Sequence, residues 1–276
     1  MVKIMKVKMR LWVKITLTII TIIIITFIYG RYINTKGYEV NEYTIIDNIP
    51  DSFNGIKIVH ISDINYLHTT KYEDLKKIID QINLIKPDLV LFTGDLLNIN
   101  IEYSNKDQKE ITKLLSSIKA NIGKFAIKGE EDNKIDETET ILKNSNFTIL
   151  DNTSEYIYNK TNEPIYITGI NNPSSNLIDD NNNNLYNILL IHKPDDIDKI
   201  EYQKYNLILS GHSINGYINI PGIKNLFLEK GAKKYYENYY KLDNTLLYIS
   251  NGIGTKNIKF RIFNKPSFNF FRIKKK

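Results

Sequence analysis

The period of apolar positions changes several times along the chain. Leu11 to Tyr29 is apolar on every face, broken only by Lys14 and several threonines. That pattern predicts a membrane-crossing helix rather than a half-buried one. Beyond it, Ile56 to Ser62 is a short β-branched run read as a strand. Leu75, Ile78, Ile79, Ile82 and Ile85 then recur at helical spacing, and Pro87 closes the helix. Asp88 to Phe92 reads as a second buried strand, Ile111 to Ile118 as a helix, Phe125 to Lys128 as a third strand and Thr138 to Lys143 as a helix. Later strands are expected at Ile165–Ile170, Ile188–Ile191, Leu207–Leu209, Leu246–Ser250 and Ile258–Phe263. Asn171 to Asn184 is rich in Asn and reads as a low-complexity surface loop. Tyr235, Tyr236, Tyr239 and Tyr240 fit a short helix whose rings pack or face a membrane rather than stack on bases. Alternating strands and helices imply an α/β layered fold.

The apolar run is about 19 residues, close to the length that crosses the hydrocarbon. Trp12 and Tyr29 stand near its two ends, where interfacial aromatics are favoured. The positive flank precedes the span, which places residues 1–10 in the cytoplasm and the body outside the cell membrane. A cleaved signal peptide is the alternative, but Ile28 to Tyr32 offers no small-x-small cleavage pattern. The organisation expected is a basic tail at 1–10, an anchor at 11–29 contacting the lipid bilayer, a linker and first-strand region at 30–54, and a domain at 55–276.

Charge narrows the partners. The net charge is +6, but residues 1–31 hold six of the 37 basic residues and no acid. The remaining 31 basic residues match the 31 acidic ones, so the body is formally neutral and a nucleic-acid surface is not supported. The Arg272 to Lys276 tail reads as a solvated end. There is no cysteine, which excludes disulfides, thiolate metal sites and cysteine nucleophiles.

In α/β sheets, ligands gather beyond the carboxyl ends of strands. The polar residues there are Asp63, Asp95, Glu130, Glu131, Asp132, His192 and His212. They fall in five ordered blocks: Ile61-Ser62-Asp63-Ile64-Asn65, Gly94-Asp95, Gly129-Glu130-Glu131-Asp132, His192, and Gly211-His212-Ser213-Ile214. This series resembles the calcineurin-like metallophosphoesterase superfamily, most closely its membrane-anchored bacterial branch. The likeness runs from about residue 40 onwards and includes Leu247 to Thr255 and Ile262 to Pro266. It implies a layered β-sandwich flanked by helices, with a two-metal centre that hydrolyses phosphoester or pyrophosphate bonds.

The family pattern is Asp-x-His, Gly-Asp, Gly-Asn-His-Asp, His, then Gly-His-x-His. Asp63, Asp95, Asp132, His192 and His212 match it. Asn65, Glu130, Glu131 and Ile214 stand where it has a histidine, an asparagine, a histidine and a histidine. By that resemblance the metal residues are Asp63, Asp95, Glu130, His192 and His212, and the catalytic positions are Glu131 and Asp132. The losses fall on the first metal, so one divalent ion (Mn, Fe or Zn) is expected at the second position and the first is expected weak or empty. Activity is then expected to be reduced, because one ion cannot clamp both attacking and leaving oxygens and the acidic residues would repel phosphate. A phosphorylated envelope or lipid substrate is expected. The alternative is a non-catalytic relative that binds a ligand or partner at the envelope; a third reading is a structural envelope protein without metal. His60 reads as a structural residue of the first strand. His68 is a loop histidine, or a replacement ligand if its loop folds inward.

Overall fold

The computed structural model describes residues 2–171, 173, 184–220 and 222–276, without the side chains of 2–9 and Asn225. The loop expected at Asn171–Asn184 lies mostly outside the described residues.

The basic segment and the apolar run after it form one helix, α1 (Val2–Ile28), which continues as a π-helical turn, Tyr29–Ile33. The stretch Arg10–Ile33 is long and apolar enough to cross a membrane, and none of its most apolar window is buried against the body. The body is two six-stranded sheets packed face to face. The first runs in the order β1 (Glu39–Asp47), β12 (Ser267–Lys275), β2 (Ile56–Ile61), β3 (Leu89–Phe92), β4 (Gly123–Ala126), β5 (Thr148–Ile149). The second runs β10 (Tyr239–Leu242), β11 (Thr245–Ile249), β9 (Leu207–Ser210), β8 (Asn187–Ile191), β7 (Ile165–Ile170), β6 (Thr153–Ile157). Strands β2 to β5 are parallel in the first sheet, and β7, β8, β9 and β11 in the second.

The pleat sends alternate residues to opposite faces, and this sorts the apolar runs into three cores. Leu89 and Leu91 of β3 meet Ile188, Leu190, Leu207 and Leu209 between the sheets. Val90 and Phe92 face the other way, onto α2 (Tyr72–Ile85), α3 (Asn105–Ser116) and α4 (Glu137–Asn144). Leu189, Ile191, Ile208 and Leu247 form the outer core of the second sheet under Ile197, Tyr205 and Tyr235. Leu75, Ile78, Ile79 and Ile82 are the buried stripe of α2, each contributing about 1.5–3 kcal/mol by leaving water. Lys86, left-handed at φ 54°, ends that helix before Pro87.

Three expectations are corrected. Ile258–Phe263 is not a strand: it makes a single bridge, Ile218 to Ile262, because its backbone is held elsewhere. Arg261 N–H donates to Gly30 C=O at 3.0 Å, and Phe260 stacks on Phe27 with ring centroids 5.9 Å apart. The Arg272–Lys276 tail lies largely in β12, paired parallel with β1 and antiparallel with β2, so only its lysine side chains are solvated. The tyrosine cluster is not a helix. Tyr239 opens β10, and the Tyr240 hydroxyl accepts from the N–H groups of Tyr236 and Glu237, which makes a turn.

Candidate metal centre

Parallel strands bring the carboxyl ends of β2, β3, β4, β8 and β9 to one edge of the sandwich. Asp63, Asp95, Gly129, His192 and His212 follow these ends within a few residues. Asp63, Asp95 and His212 each turn through the left-handed region, at φ 50°, 58° and 63°. A non-glycine residue held there costs on the order of 1–3 kcal/mol and persists where the surroundings enforce it. Asn65 and Ile214 share that conformation, at φ 47° and 44°. The turns need close backbone approach: a Cβ on Gly129 would collide with the Asp95 carboxylate, and one on Gly211 with the Ser62 hydroxyl.

Asp95, His192 and His212 form a buried group whose ligand atoms lie within 4.8 Å of one another. Backbone carbonyls fix both imidazoles. His192 Nδ1 is 2.6 Å from Thr93 C=O and His212 Nε2 is 2.8 Å from Lys230 C=O. A carbonyl only accepts, so these nitrogens carry the protons, leaving His192 Nε2 and His212 Nδ1 as free lone pairs. His192 Nε2 and Asp95 Oδ2 are buried and lack a hydrogen-bond partner among the described residues. They lie 3.2 Å apart, a spacing that two ligands of one ion can take. Two imidazole nitrogens and a carboxylate oxygen suit Mn, Fe or Zn, so the residues present fit the ion that the sequence implies. Burial opposes charge on both partners, yet His192 pulls Asp95 down to about 2 and Asp95 lifts His192 to about 9, so an ion taken up at Nε2 would displace the proton that Asp95 otherwise holds there. Burial and the neighbouring His192 lower His212 to about 4.

Asp63 borders this group without joining it. Its Oδ2 accepts from Ser62 Oγ at 2.6 Å and from His212 N–H at 3.0 Å, and burial raises its pKa to about 6. Asn65 is buried and its Oδ1 accepts from Asn98 Nδ2 at 2.8 Å. Ile214 is buried as an apolar side chain. His60 lies inside β2 against Thr93 Oγ1 and Asn269 Nδ2. His68 Nε2 instead pairs with the Asn257 carbonyl at 2.9 Å, so it does not replace the missing ligand at Asn65.

The remaining expected residues have other engagements. Asp132 receives four backbone N–H groups: Asp95 at 2.7 Å, Leu96 at 2.9 Å, Leu97 at 3.3 Å and Gly129 at 3.0 Å. Asp132 therefore holds the Asp95 turn. Glu130 is outside the ligand group: its Oε2 is 3.1 Å from Lys193 Nζ and 3.2 Å from Lys256 Nζ. Burial acts to raise Glu130, but these lysines hold it down at about 2. Glu131 is buried with Oε1 3.2 Å from Lys256 Nζ and 3.6 Å from Lys134 Nζ.

These lysines correct the expected electrostatics. The cleft beside the centre has a volume of about 790 Å³. Its lining has five lysines, including Lys134, Lys193 and Lys230, against three acids, Glu130, Asp195 and Asp196. Lysines therefore offset part of the acidic run. Lys193 follows His192 directly and Lys134 stands one helical turn after Glu130, and those spacings were the available signals. Lys256 lies 126 positions from Glu130 in sequence and left none.

The family model for calcineurin-like phosphoesterases matches residues 56–247. The chain belongs to the calcineurin-like phosphoesterase family. Among relatives of this phosphoesterase, an uncharacterized metallophosphoesterase, YkuE of Bacillus subtilis, is 30% identical over 256 residues, covering 89% of each chain. The UDP-2,3-diacylglucosamine pyrophosphatase LpxG of Chlamydia trachomatis is 24% identical over 316 residues, covering 88% of this chain and 92% of its own. A Danio rerio transmembrane protein with a metallophosphoesterase domain is 23% identical, covering 90% of this chain and 60% of its own.

Proposed function

We propose that this phosphoesterase is a single-pass membrane protein of the cell envelope. Residues 1–10 are cytoplasmic, 11–29 span the bilayer, and the body lies outside. It hydrolyses a phosphoester or pyrophosphate bond of a phosphorylated envelope or lipid substrate, using one divalent ion, Mn, Fe or Zn. The observation that carries the reading is the pair of buried, unpartnered ligand atoms, His192 Nε2 and Asp95 Oδ2, beside His212. The Arg10–Ile33 helix and the pyrophosphatase relative support the membrane and substrate class.

A divalent ion there would lower the pKa of a water and neutralise phosphoryl charge. The chain's own groups do the rest. Thr93 and Lys230 carbonyls aim the two imidazoles, and Asp132 fixes the Asp95 turn. Lys193, Lys134 and Lys230 make the cleft receptive to an anion. Lys256 and Lys193 also hold Glu130 ionised, so the acidic residues offset those lysines without repelling substrate outright.

A second reading, a relative that binds its phosphorylated ligand without turnover, is favoured by one observation. Glu131 stands at the position of the family's histidine and is locked to Lys256 and Lys134. Elemental analysis of the detergent-purified full chain should find about one ion, lost in His192→Ala and His212→Ala. Hydrolysis of phosphodiester and lipid-pyrophosphate substrates with Mn, Fe or Zn should be lost in the same variants. One ion without any turnover would favour the binding reading, and no ion in folded protein would end the hydrolytic reading and leave a binding or scaffold role.

A further inference from the structure

We infer that a second anion site, distinct from the metal centre, lies at the foot of the anchor helix and takes a phosphate group. A cavity of about 90 Å³ opens there, lined by Thr35 and Tyr38 just after the anchor, by Thr70 and Lys77, and by Lys259 and Arg261. One water needs roughly 10–15 Å³ of such space, so the volume admits a tetrahedral oxyanion.

The site is built around Arg261. Its side chain is 1% exposed. Its Nη2 donates to Gly252 C=O at 3.0 Å and Gly254 C=O at 2.6 Å. Its Nη1 is buried and has no partner among the described residues, and the same is true of Thr70 Oγ1. A buried guanidinium nitrogen without an acceptor is costly, and a phosphate oxygen would satisfy it. Thr70 is itself a lining residue of the cavity. The charged groups lining the cavity are Arg261, Lys77 and Lys259 against one acid, Asp74. Asp74 Oδ2 is 3.7 Å from Lys259 Nζ, and the acid whose charge acts on the guanidinium, Asp63, is outside the lining. Lys71 and Arg31 add to the positive field at Lys259.

Position identifies two sources for the phosphate. The Arg261 N–H is bonded to Gly30 C=O at the end of the anchor. Tyr32, Ile33, Ile258 and Phe263 are exposed apolar side chains on the two segments that bond joins. A lipid headgroup at the bilayer surface is therefore one source, and free inorganic phosphate is the other. Only the headgroup arm rests on the membrane reading proposed above; phosphate binding stands or falls without it.

The test uses the full chain in detergent, stripped of metal so that the catalytic centre does not compete. Titration with inorganic phosphate, followed by calorimetry, should saturate at one site. Thr70→Val and Lys259→Met should each weaken it about tenfold or more, the effect of losing one charge-assisted or buried bond. Arg261→Gln also frees the Gly252 and Gly254 carbonyls, so the other two variants carry the test, with circular dichroism confirming their fold. For the headgroup, protein released from bicelles of phosphatidylcholine containing phosphatidic acid is examined by native mass spectrometry. Retained phosphatidic acid, lost in both variants, assigns the site to a lipid headgroup. Phosphate binding alone assigns it to the free ion. Failure of both probes, or binding that both variants leave unchanged, overturns the inference.

Discussion

Lys256 is expected to be energetically coupled to Glu131, and the size of that coupling follows from their surroundings. Lys256 Nζ lies 3.2 Å from Glu131 Oε1, with side-chain exposures of 21% and 2%. At an effective dielectric of about 20, opposite charges at this distance attract by roughly 5 kcal/mol. Desolvating a carboxylate this deeply takes back several kcal/mol. Lys134, 3.6 Å from the same oxygen but half exposed, replaces part of the attraction when Lys256 is removed. The expected outcome is about 2–4 kcal/mol of destabilisation in Lys256→Met. The loss in Glu131→Gln should be smaller. The double variant should be about 1.5–3 kcal/mol more stable than the sum of the two losses. Urea unfolding of all four proteins in the same micelles, with constant m-values, measures the cycle. Additivity within about 0.5 kcal/mol would show that Glu131 is not held by Lys256, and the account of the altered catalytic position would fail.

Two further outcomes follow. Burial lowers the His60 pKa from 6.5 to about 3, so the unfolded chain takes up a proton that the native state refuses as pH falls below 6.5. Its contribution is complete above that value, is lost towards pH 3, and should fall by about 3 kcal/mol between about pH 7 and pH 4. Unfolding of His60→Gln should show a correspondingly flatter acid slope, and identical slopes would mean that His60 is not held neutral. Asp132→Asn replaces an acceptor of four backbone N–H groups by an amide with one acceptor oxygen. It should cost roughly 2–4 kcal/mol and weaken metal binding about tenfold or more by releasing the Asp95 turn. Calorimetric metal titration at unchanged affinity would separate the turn from the centre.

The elements that position the centre were legible because their apolar residues obey one period each. Leu75, Ile78, Ile79 and Ile82 could only be a helix face, and Leu89–Phe92 is buried on both sides. The candidate ligands Asp95, His192 and His212 were readable because each comes within three residues of a strand's end. The segment Ser267–Lys275 was not, since its strand character comes from partners more than 200 positions away in β1 and β2. The run Ile258–Phe263 has strand-like composition, yet Gly30 and Tyr217 carbonyls take its N–H groups. Lysines are common in this chain, and nothing local marks Lys256 as facing Glu130 and Glu131. A charge reading from the acidic block alone therefore missed the lysines that pair with it.

The changes at Asn65, Glu130 and Glu131 look independent in sequence but form one connected structure. Asn98 Nδ2 donates to Asn65 Oδ1 at 2.8 Å and to Lys256 C=O at 2.9 Å. Lys256 Nζ in turn joins Glu130 and Glu131, and Glu130 reaches Lys193, the neighbour of His192. One hydrogen-bonded and ionic path thus runs from the altered first-metal position, through the altered catalytic positions, to the edge of the retained ligand group. Ile214 fits the same logic by different physics. Buried, with its carbonyl taken by Asn264 Nδ2, it leaves no polar side chain in need of a cation. Random loss of ligands would leave buried donors and acceptors scattered without partners. Here the altered positions supply one another, apart from Asn65 Nδ2, while the unpartnered ligand atoms His192 Nε2 and Asp95 Oδ2 stand together beside His212. Two buried ligand atoms without partners thus meet at one point beside His212, which is the arrangement the proposed single-ion centre requires.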